Sequence, residues 1–495
     1  MLRRATLAVA VAVVTVTTAA LPASADPTSS DTGFSGGGFA LGSGTHDEYL
    51  AGMTVLGNGK VMVLLLEPDT DPALVLYRRN PNGSPDTSFG GGDGKVGFAA
   101  PDSYEDVTLA VDPSSGRSYV STFLDNGTTS PTTVWRITST GSVDTTYGTA
   151  GHKTFNQRLV YALAPLSHGQ LLMAGDDFAV HSAAVWRLTA SGGTDTSYGA
   201  GGKAVVSSDP NDEATGLAVQ PDGKAVVAAS HDNTIASTLL VYRLRPGGSL
   251  DPGFSGDGKT VIDPSSGSTT TSTVWTPQVL LRPDGRMVFT AGLNQKNGGN
   301  PLFNSLLVAG LTKGGSPDPV FGTHVYSNAT ETWGQAALER DGKVIVTGTQ
   351  PGSSTTSLVL RFTAGGALDP TWAGDGSFAL TPHTENMGVG IAPQGRVILA
   401  RTIHRATYDV ALKALRGSPT PSCHGRLATQ YGTNGPDRII GTSHADVLVG
   451  LGGADVLKGL GGNDTLCGNG GDDTLYGGSG KDTLIGGTGL DVIHQ

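Results

Sequence analysis

Along most of the chain, apolar and polar residues alternate in short runs separated by glycine-rich breaks. Alternation of period two predicts half-buried β-strands, and helical periodicity is nearly absent. Clear runs are ALVLYRR from Ala73, TVWRITS from Thr133, AAVWRLT from Ala183, LLVYRLR from Leu239 and SLVLRFT from Ser357. A second set of strands is marked by turns, as in LGNGKVMVL at Gly57, VDPSSGRSYV at Asp112, LSHGQLLMA at Ser167 and QPDGKAVVAA at Pro221. The later copies are RPDGRMVFTAG at Pro283, ERDGKVIVTG at Asp341 and APQGRVILA at Pro393. Pro-Asp-Gly between two β-rich runs reads as a hairpin turn, because proline presets φ and glycine accepts φ > 0.

A third marker carries an aromatic residue: Phe34, Phe89, Tyr147, Tyr198, Phe254, Phe321 and Trp372. These positions lie 55, 58, 51, 56, 67 and 51 residues apart, one period of just under sixty repeated seven times. Each unit offers about four short strands, which is the signature of propeller blades. The expected architecture is all-β, a seven-bladed β-propeller over residues 31–416, with an open β-solenoid or a pair of sandwiches as the alternative. The repeat resembles the delta-60 repeat family through D-x-x-[FYW]-x-x-x-G and the P-D-G-[KR] turn. That resemblance implies a β-propeller in an exported or surface protein and implies no reaction. The stretch from Phe254 to Phe321 departs most, with an insertion near Asn294 to Pro301, and the GDG is lost after Phe321.

The recurring aspartates Asp86, Asp144, Asp195, Asp251, Asp318 and Asp369 fall one per unit, so they read as turn or capping residues rather than catalytic pairs. The recurring aromatics read as wedges between blades. Gly33 to Gly37 matches G-x-S-x-G but sits in the repeat turn without a following helix, and no H-E-x-x-H occurs. His46, His181, His231 and His383 fall in irregular loops and are expected to be solvated. No catalytic residue is therefore expected. The Ser/Thr/Asn/Gly-rich loops Asp125 to Pro131, Ser265 to Ser272 and Asn294 to Asn300 are expected to reach the mouth of the central channel. There they could contact a cell-surface glycan or protein. The alternative is an extracellular hydrolase acting on glycans or another polymer.

Residues 417–431 read as a Pro/Ser linker. A nine-residue period then begins: TNGPDRIIG, TSHADVLVG, LGGADVLKG, LGGNDTLCG, NGGDDTLYG, GSGKDTLIG and GTGLDVIHQ. Asp437, Asp446, Asp455, Asp464, Asp473, Asp482 and Asp491 each precede an aliphatic by two positions. Glycine turns alternating with short strands predict a parallel β-roll over 432–495, two nonapeptides to a coil. One side then stacks Asp437, Asp455, Asp473 and Asp491, and the other Asp446, Asp464 and Asp482, about 4.8 Å apart. Turn carbonyls beside carboxylates supply the six to eight hard oxygens Ca²⁺ takes, whereas Mg²⁺ demands a tighter octahedron. At that spacing one carboxylate pair repels by about 3.5 kcal/mol at an effective dielectric of 20. With seven aliphatics as a thin core, calcium binding and folding are expected to be one event. The array resembles the repeats-in-toxin family, whose G-G-x-G-x-D-x-U-x signature binds calcium. The resemblance places the metal-ligand role on those seven aspartates. Asn463 and Asp472 are weaker candidates, and His444 replaces a turn glycine.

Composition adds three constraints. The 495 residues carry a formal charge of −11, which lacks the basic footprint of a nucleic-acid binder and suits a protein that meets cations. Arg3 and Arg4, the apolar run Leu7 to Val16 and Ala23-Ser24-Ala25 read as a signal peptide over residues 1–25, and no second apolar stretch approaches a membrane span. A secreted, extracellular protein is expected. Cys423 and Cys467 are the two cysteines, and in an oxidising compartment they pair as a disulfide or remain two free thiols.

Overall fold

The computed structural model describes residues 34, 39–41, 47–68, 70–98, 106–124, 128–231, 238–264, 271–297, 300–327, 335–349, 357–380, 387–393, 395–404, 408–415, 421–432 and 435–495. The leader segment 1–25, His46 and His383 lie outside these residues, as do 125–127, 265–270 and 298–299 of the three candidate binding loops.

Seven four-stranded antiparallel sheets follow one another. Blade 1 is Tyr49–Val55, Val61–Leu66, Leu74–Arg79 and Lys95–Phe98; blade 2 is Asp106–Val111, Ser118–Phe123, Thr132–Ile137 and His152–Phe155. Blade 3 is Arg158–Pro165, Leu171–Asp177, Ser182–Leu188 and Lys203–Ser207; blade 4 is Asp212–Val219, Ala225–His231, Thr238–Leu244 and Lys259–Ile262. Blade 5 is Thr271–Leu281, Met287–Asn297, Asn300–Leu311 and Thr323–Ser327, its second and third strands lengthened by the inserted residues. Blade 6 is Ala336–Leu338, Val344–Thr349, Ser357–Phe362 and Ser377–Leu380. Blade 7 takes Met387–Ile391, Val397–His404 and Tyr408–Leu415 from one end of the propeller segment and Phe39–Ala40 from the other. Phe39 pairs with Leu412 and Ala40 with Ala411, so the last sheet closes the ring on its first strand. The sequence repeat is thus one strand out of phase with the blade, since each aromatic marker precedes an outermost strand.

All seven marker aromatics are at most 1% exposed. Phe89 packs with Met62 and Leu64 of its own blade and Val120 and Ile137 of the next. A Cβ at Gly141, at φ +82, would come within 2.8 Å of the Phe89 ring, so the next blade's turn must be glycine there. The wedge is therefore ring against bare backbone.

The recurring aspartates do more than hold their turns. Arg78, Arg136, Arg187, Arg243 and Arg361 each stand eight residues before one of them and form an ion pair with it. Each guanidinium also lies 4.4–4.8 Å from the centre of the marker ring of its blade. Four of them reach onward to a backbone carbonyl of the next blade: Ser139, Ala190, Pro246 and Lys313. The lysine after the glycine of the turn between the first two strands joins the same aspartate, as in Lys60–Asp86, Lys224–Asp251 and Lys343–Asp369. In blade 5, Gly310 stands where the arginine is missing. Arg286 pairs with Asp318 at 3.3 Å there, and Arg282 covers Phe321 and donates to Gly342 O and Ala364 O in blade 6.

After the propeller, residues 421–432, expected as part of a linker, include a hairpin of Ser422–Cys423 and Arg426–Leu427 and the short strand Gln430–Tyr431. Two parallel sheets then face each other. One is Gln430–Tyr431, Val447–Gly452, Thr465–Gly470 and Thr483–Thr488; the other is Arg438–Ile440, Val456–Gly461, Thr474–Ser479 and Val492–His494. The register advances by eighteen residues per coil, for example Leu448↔Leu466 and Leu457↔Leu475, which is two nonapeptides. Ile439, Leu448, Leu457, Leu466 and Leu475 form the buried core between the sheets, with Leu484 partly buried against them.

Candidate metal centre

Each of the seven recurring aspartates of the tail stands immediately before a strand, all but Asp446 at the end of a glycine turn. The eighteen-residue register aligns alternate copies along opposite edges of the roll. Asp437, Asp455, Asp473 and Asp491 follow one another on one edge, and Asp446, Asp464 and Asp482 on the other. In all five consecutive pairs the backbone N–H of one aspartate donates to Oδ1 of the aspartate one coil on, at 2.8–3.0 Å. Oδ1 is therefore a structural acceptor, and it fixes the direction in which Oδ2 points.

Oδ2 turns toward the preceding glycine turn. A Cβ at Gly468 would lie 2.2 Å from Asp473 Oδ2 and 2.6 Å from the Gly486 carbonyl oxygen. Carboxylate and carbonyl oxygens therefore converge on one cradle that a side chain would fill. Gly450 and Gly459 have the same surroundings, with Asp455 and Asp464 Oδ2 and the Gly468 and Gly477 carbonyls. Asp455, Asp464 and Asp473 are each 1% exposed, and their Oδ2 atoms have no hydrogen-bond partner. A buried carboxylate oxygen left in this way costs on the order of 1–3 kcal/mol or more unless something satisfies it.

The electrostatics agree. Burial raises the Asp455 carboxyl; the Asp437 amide pulls it back, and the charges on Asp473 and Asp437 add to the rise, leaving it at about 6. Burial also raises Asp464 and Asp473, with the carboxylates of Asp482 and Asp446, and of Asp491 and Asp472, acting in the same direction. These cradles hold excess negative charge, and their donors are hard oxygens only. That donor set fits calcium. A bound Ca²⁺ supplies the positive charge that lets neighbouring carboxylates stay ionised side by side.

The profile of the RTX calcium-binding nonapeptide repeat (4 copies) matches residues 431–466 and 458–493. The tail is an RTX calcium-binding array. A second profile, the domain of unknown function (DUF5122) beta-propeller, matches residues 220–254 and 339–371, within blades 4 and 6. No curated protein sequence matches the chain. Among solved structures, the polysaccharide lyase Uly1 is 10% identical, with a TM-score of 0.43, over 76% of this chain and 91% of its own. Regucalcin from Agrobacterium tumefaciens, a calcium-binding protein, is 14% identical, with a TM-score of 0.34, over 63% of this chain and 91% of its own. Drosophila Plexin A in complex with Semaphorin 1b is 10% identical, with a TM-score of 0.41, over 77% of this chain and 86% of its own. Likeness of that degree brings no chemistry to this chain.

The RTX array is not uniform. Asp446 Oδ2 accepts from Thr442 N at 2.6 Å and Thr442 Oγ1 at 2.9 Å, because Thr442-Ser443-His444 replaces the glycine turn. Asp437, Asp482 and Asp491 are half-buried. Asn463 and Asp472 are exposed, and their Oδ1 atoms accept from Lys481 N and Leu490 N one coil on, so they tie turns together from outside. Cys423 and Cys467 are joined in a disulfide that links the hairpin to the RTX array.

A second titratable cluster, not foreseen from sequence, lies in the propeller, away from the RTX array. In each blade the second-to-third turns and the blade-to-blade connections leave at one end of the ring. At that end, Tyr161 bulges from the inner strand of blade 3. Burial raises its phenol, and the charges on Glu213, Asp176 and Asp106 raise it further. Asp176 is pushed up to about 8 by burial and then by Glu213, while the Ala214 amide opposes the rise. Beside them, Asp209, Asp212 and His231 bring ligand atoms within 4.8 Å of one another. His231, expected to be solvated, ends a strand and is half-buried, with Nδ1 against Asp212 Oδ1. A signal existed: Asp47-Glu48, Glu105-Asp106 and Asp212-Glu213 recur where inner strands begin.

Proposed function

We propose that the protein is a secreted calcium-binding scaffold. Its roll folds as calcium fills the cradles of Asp455, Asp464 and Asp473, with Asp437, Asp446, Asp482 and Asp491 extending the ladder. The observation that carries this reading is the three buried Oδ2 atoms without a hydrogen-bond partner, each beside a glycine carbonyl. Extracellular modules of this kind bind at roughly 10⁻⁴–10⁻³ M, far above cytosolic calcium, so the roll locks after export. Among the described residues, no helix is long and apolar enough to cross a membrane. The propeller is the rigid part, and its loops at the second-to-third-turn end present a surface for a glycan or protein partner. The test is calorimetric calcium titration of the full chain against Asp455→Ala/Asp464→Ala/Asp473→Ala. Loss of calcium uptake with the propeller still folded supports the reading; undiminished uptake ends it.

A second reading, hydrolysis of an extracellular glycan or other polymer, draws support from Asp176. A carboxyl held near 8 by burial and the neighbouring Glu213 remains protonated at neutral pH and can donate a proton. Reducing-end release from a polysaccharide panel by the wild type, lost in Asp176→Asn, is the outcome this reading requires.

A further inference from the structure

The propeller-proximal end of the roll is built differently from the coils that follow. The hairpin of Ser422–Cys423 and Arg426–Leu427 packs on the outer face of one roll sheet. Cys423 and Ala428 are buried there with Val447, Val449 and Cys467, and the disulfide ties Cys423 to Cys467. Arg426 Nη1 donates to Thr465 Oγ1 at 2.9 Å. Beyond this patch the outer faces are bare: Ile440, Tyr476 and Ile485 are 43%, 36% and 38% exposed.

Thr429 completes the ladder at this end. In later coils a backbone N–H of the preceding coil donates to each aspartate Oδ1. For Asp446 that donor is the hydroxyl of Thr429, at 3.0 Å, which also accepts from Val447 N at 2.9 Å. Arg340, in the turn between the first two strands of blade 6, donates to Thr429 O and lies 5.7 Å from the centre of the Tyr431 ring.

We infer that residues 421–432, closed onto Cys467 and held to the propeller by Arg340, form a clamp that orders the first coils before calcium arrives. The clamp thereby sets the calcium concentration at which the roll folds. This rests on the calcium reading above and concerns its regulation. Asp437, Asp446, Asp455 and Asp464 lie inside the 44-residue span that the disulfide closes. Closing that span restricts the unfolded tail but leaves the carboxylates repelling one another. The clamp therefore lowers the calcium requirement without replacing it, and filling begins near the clamp and spreads toward Asp491. Spread over five stacked pairs, the restriction corresponds to about a fourfold shift in midpoint calcium. Thr429 and Arg340 are positioning residues that act through Asp446 and Tyr431.

The test is hydrogen exchange of tail peptides in the full chain across a calcium titration. The Cys423→Ala/Cys467→Ala variant should need about fourfold more calcium, with wild-type protection at saturation. Thr429→Val should raise the midpoint, and Thr429→Ser should restore it. In the oxidised wild type, peptides spanning 437–464 should become protected at lower calcium than those spanning 473–491. An unshifted midpoint in the cysteine variant, or Thr429→Ser behaving like Thr429→Val, overturns the clamp. If the cysteine variant never gains protection, the wild-type order decides, and simultaneous protection of both peptide groups overturns it. A wild type with no calcium-dependent protection sinks the calcium reading itself.

Discussion

The backbone N–H of Asp455 donates to Asp473 Oδ1 at 2.8 Å across one full coil, while Asp473 Oδ2 is buried without a partner. One carboxylate thus serves two purposes, one oxygen joining coils and the other facing the cradle. The two are separable. In Asp473→Asn the amide oxygen can keep the bond from Asp455 while the charge disappears. Calcium-free protection of the tail should then rise, and calcium affinity should fall about tenfold or more, roughly the loss of one charged hydrogen-bonding ligand. Asp473→Ala removes both oxygens and should lower calcium-free protection as well. Hydrogen exchange with and without calcium distinguishes the two variants; wild-type calcium affinity in both defeats the assignment.

The direction of the carboxylate shifts predicts an unusual pH response. Asp455 sits at about 6 in the folded roll, against roughly 3.9 in an unfolded chain. A carboxyl raised by folding adds stability below the unfolded value and loses it as pH climbs through the folded one. Asp464 and Asp473 are shifted the same way. Without calcium, the tail should therefore be better protected near pH 4.5 than at pH 7.5, roughly the window those values bracket. The recurring turn aspartates of the blades move oppositely, unlike Asp176. Burial raises Asp144, but hydrogen bonds from Thr146 and Arg136 outweigh it and hold the group low. That stability is lost only as pH falls below the ordinary carboxylate range, so peptides around Asp144 in blade 2, away from the raised Asp176, should not change over the same window. Exchange in a chelating buffer reads both parts of one chain at once. Tail protection that rises with pH contradicts the scheme.

Much of this was visible in the order of residues because two periods impose two geometries. A sixty-residue unit of four alternating strands leaves its faces unburied unless neighbours stack around a ring, and a nine-residue unit carrying Asp-x-aliphatic after a glycine turn leaves little but a roll. The contacts across units were not visible. Arg136 and Ala190 are 54 positions apart and meet only because blades 2 and 3 adjoin. The Arg–Asp pairing at a spacing of eight was present in five units, yet an alternating strand gives no reason to single out its arginine. The channel-mouth group gathers Asp106, Tyr161, Asp176 and Glu213 from three blades, and no local pattern joins them. Among the tail aspartates, His444 already marked the turn before Asp446 as different, but that Thr442 occupies its Oδ2 was not visible.

The arginine latches predict a graded series of propeller variants. The Arg136 side chain is 4% exposed and Asp144 8%, whereas Arg187 and Asp195 are each 14% exposed. Removing one partner of a buried pair costs about 3–5 kcal/mol where the other charge is left uncompensated; Arg117, 3.7 Å from Asp144, offsets part of that here. Arg136→Ala should approach that loss, and Arg187→Ala should cost about half as much, because water reaches its aspartate. Urea unfolding at saturating calcium gives both values. Equal effects would mean that the ring contact with Tyr147, rather than the ion pair, dominates the latch.

Leu460 offers a change that should strengthen the roll. It holds φ at +77, a left-handed conformation that costs an ordinary residue roughly 1–2 kcal/mol, and its side chain is 50% exposed. At the equivalent point of the last two full turns stand Gly478 and Gly487, with φ of +103 and +120, where glycine has no Cβ to strain. Leu460→Gly relieves the backbone and gives up little buried surface, against about 0.5–1 kcal/mol of added chain entropy in the unfolded state. The net gain should be on the order of 0.5–1 kcal/mol, read as a lower calcium midpoint for protection of the flanking peptides. Leu460→Ala retains the Cβ and hence the strain, so it should not reproduce the gain. Equal midpoints for the glycine and alanine variants would show that side-chain contacts, not φ, set the stability of this turn.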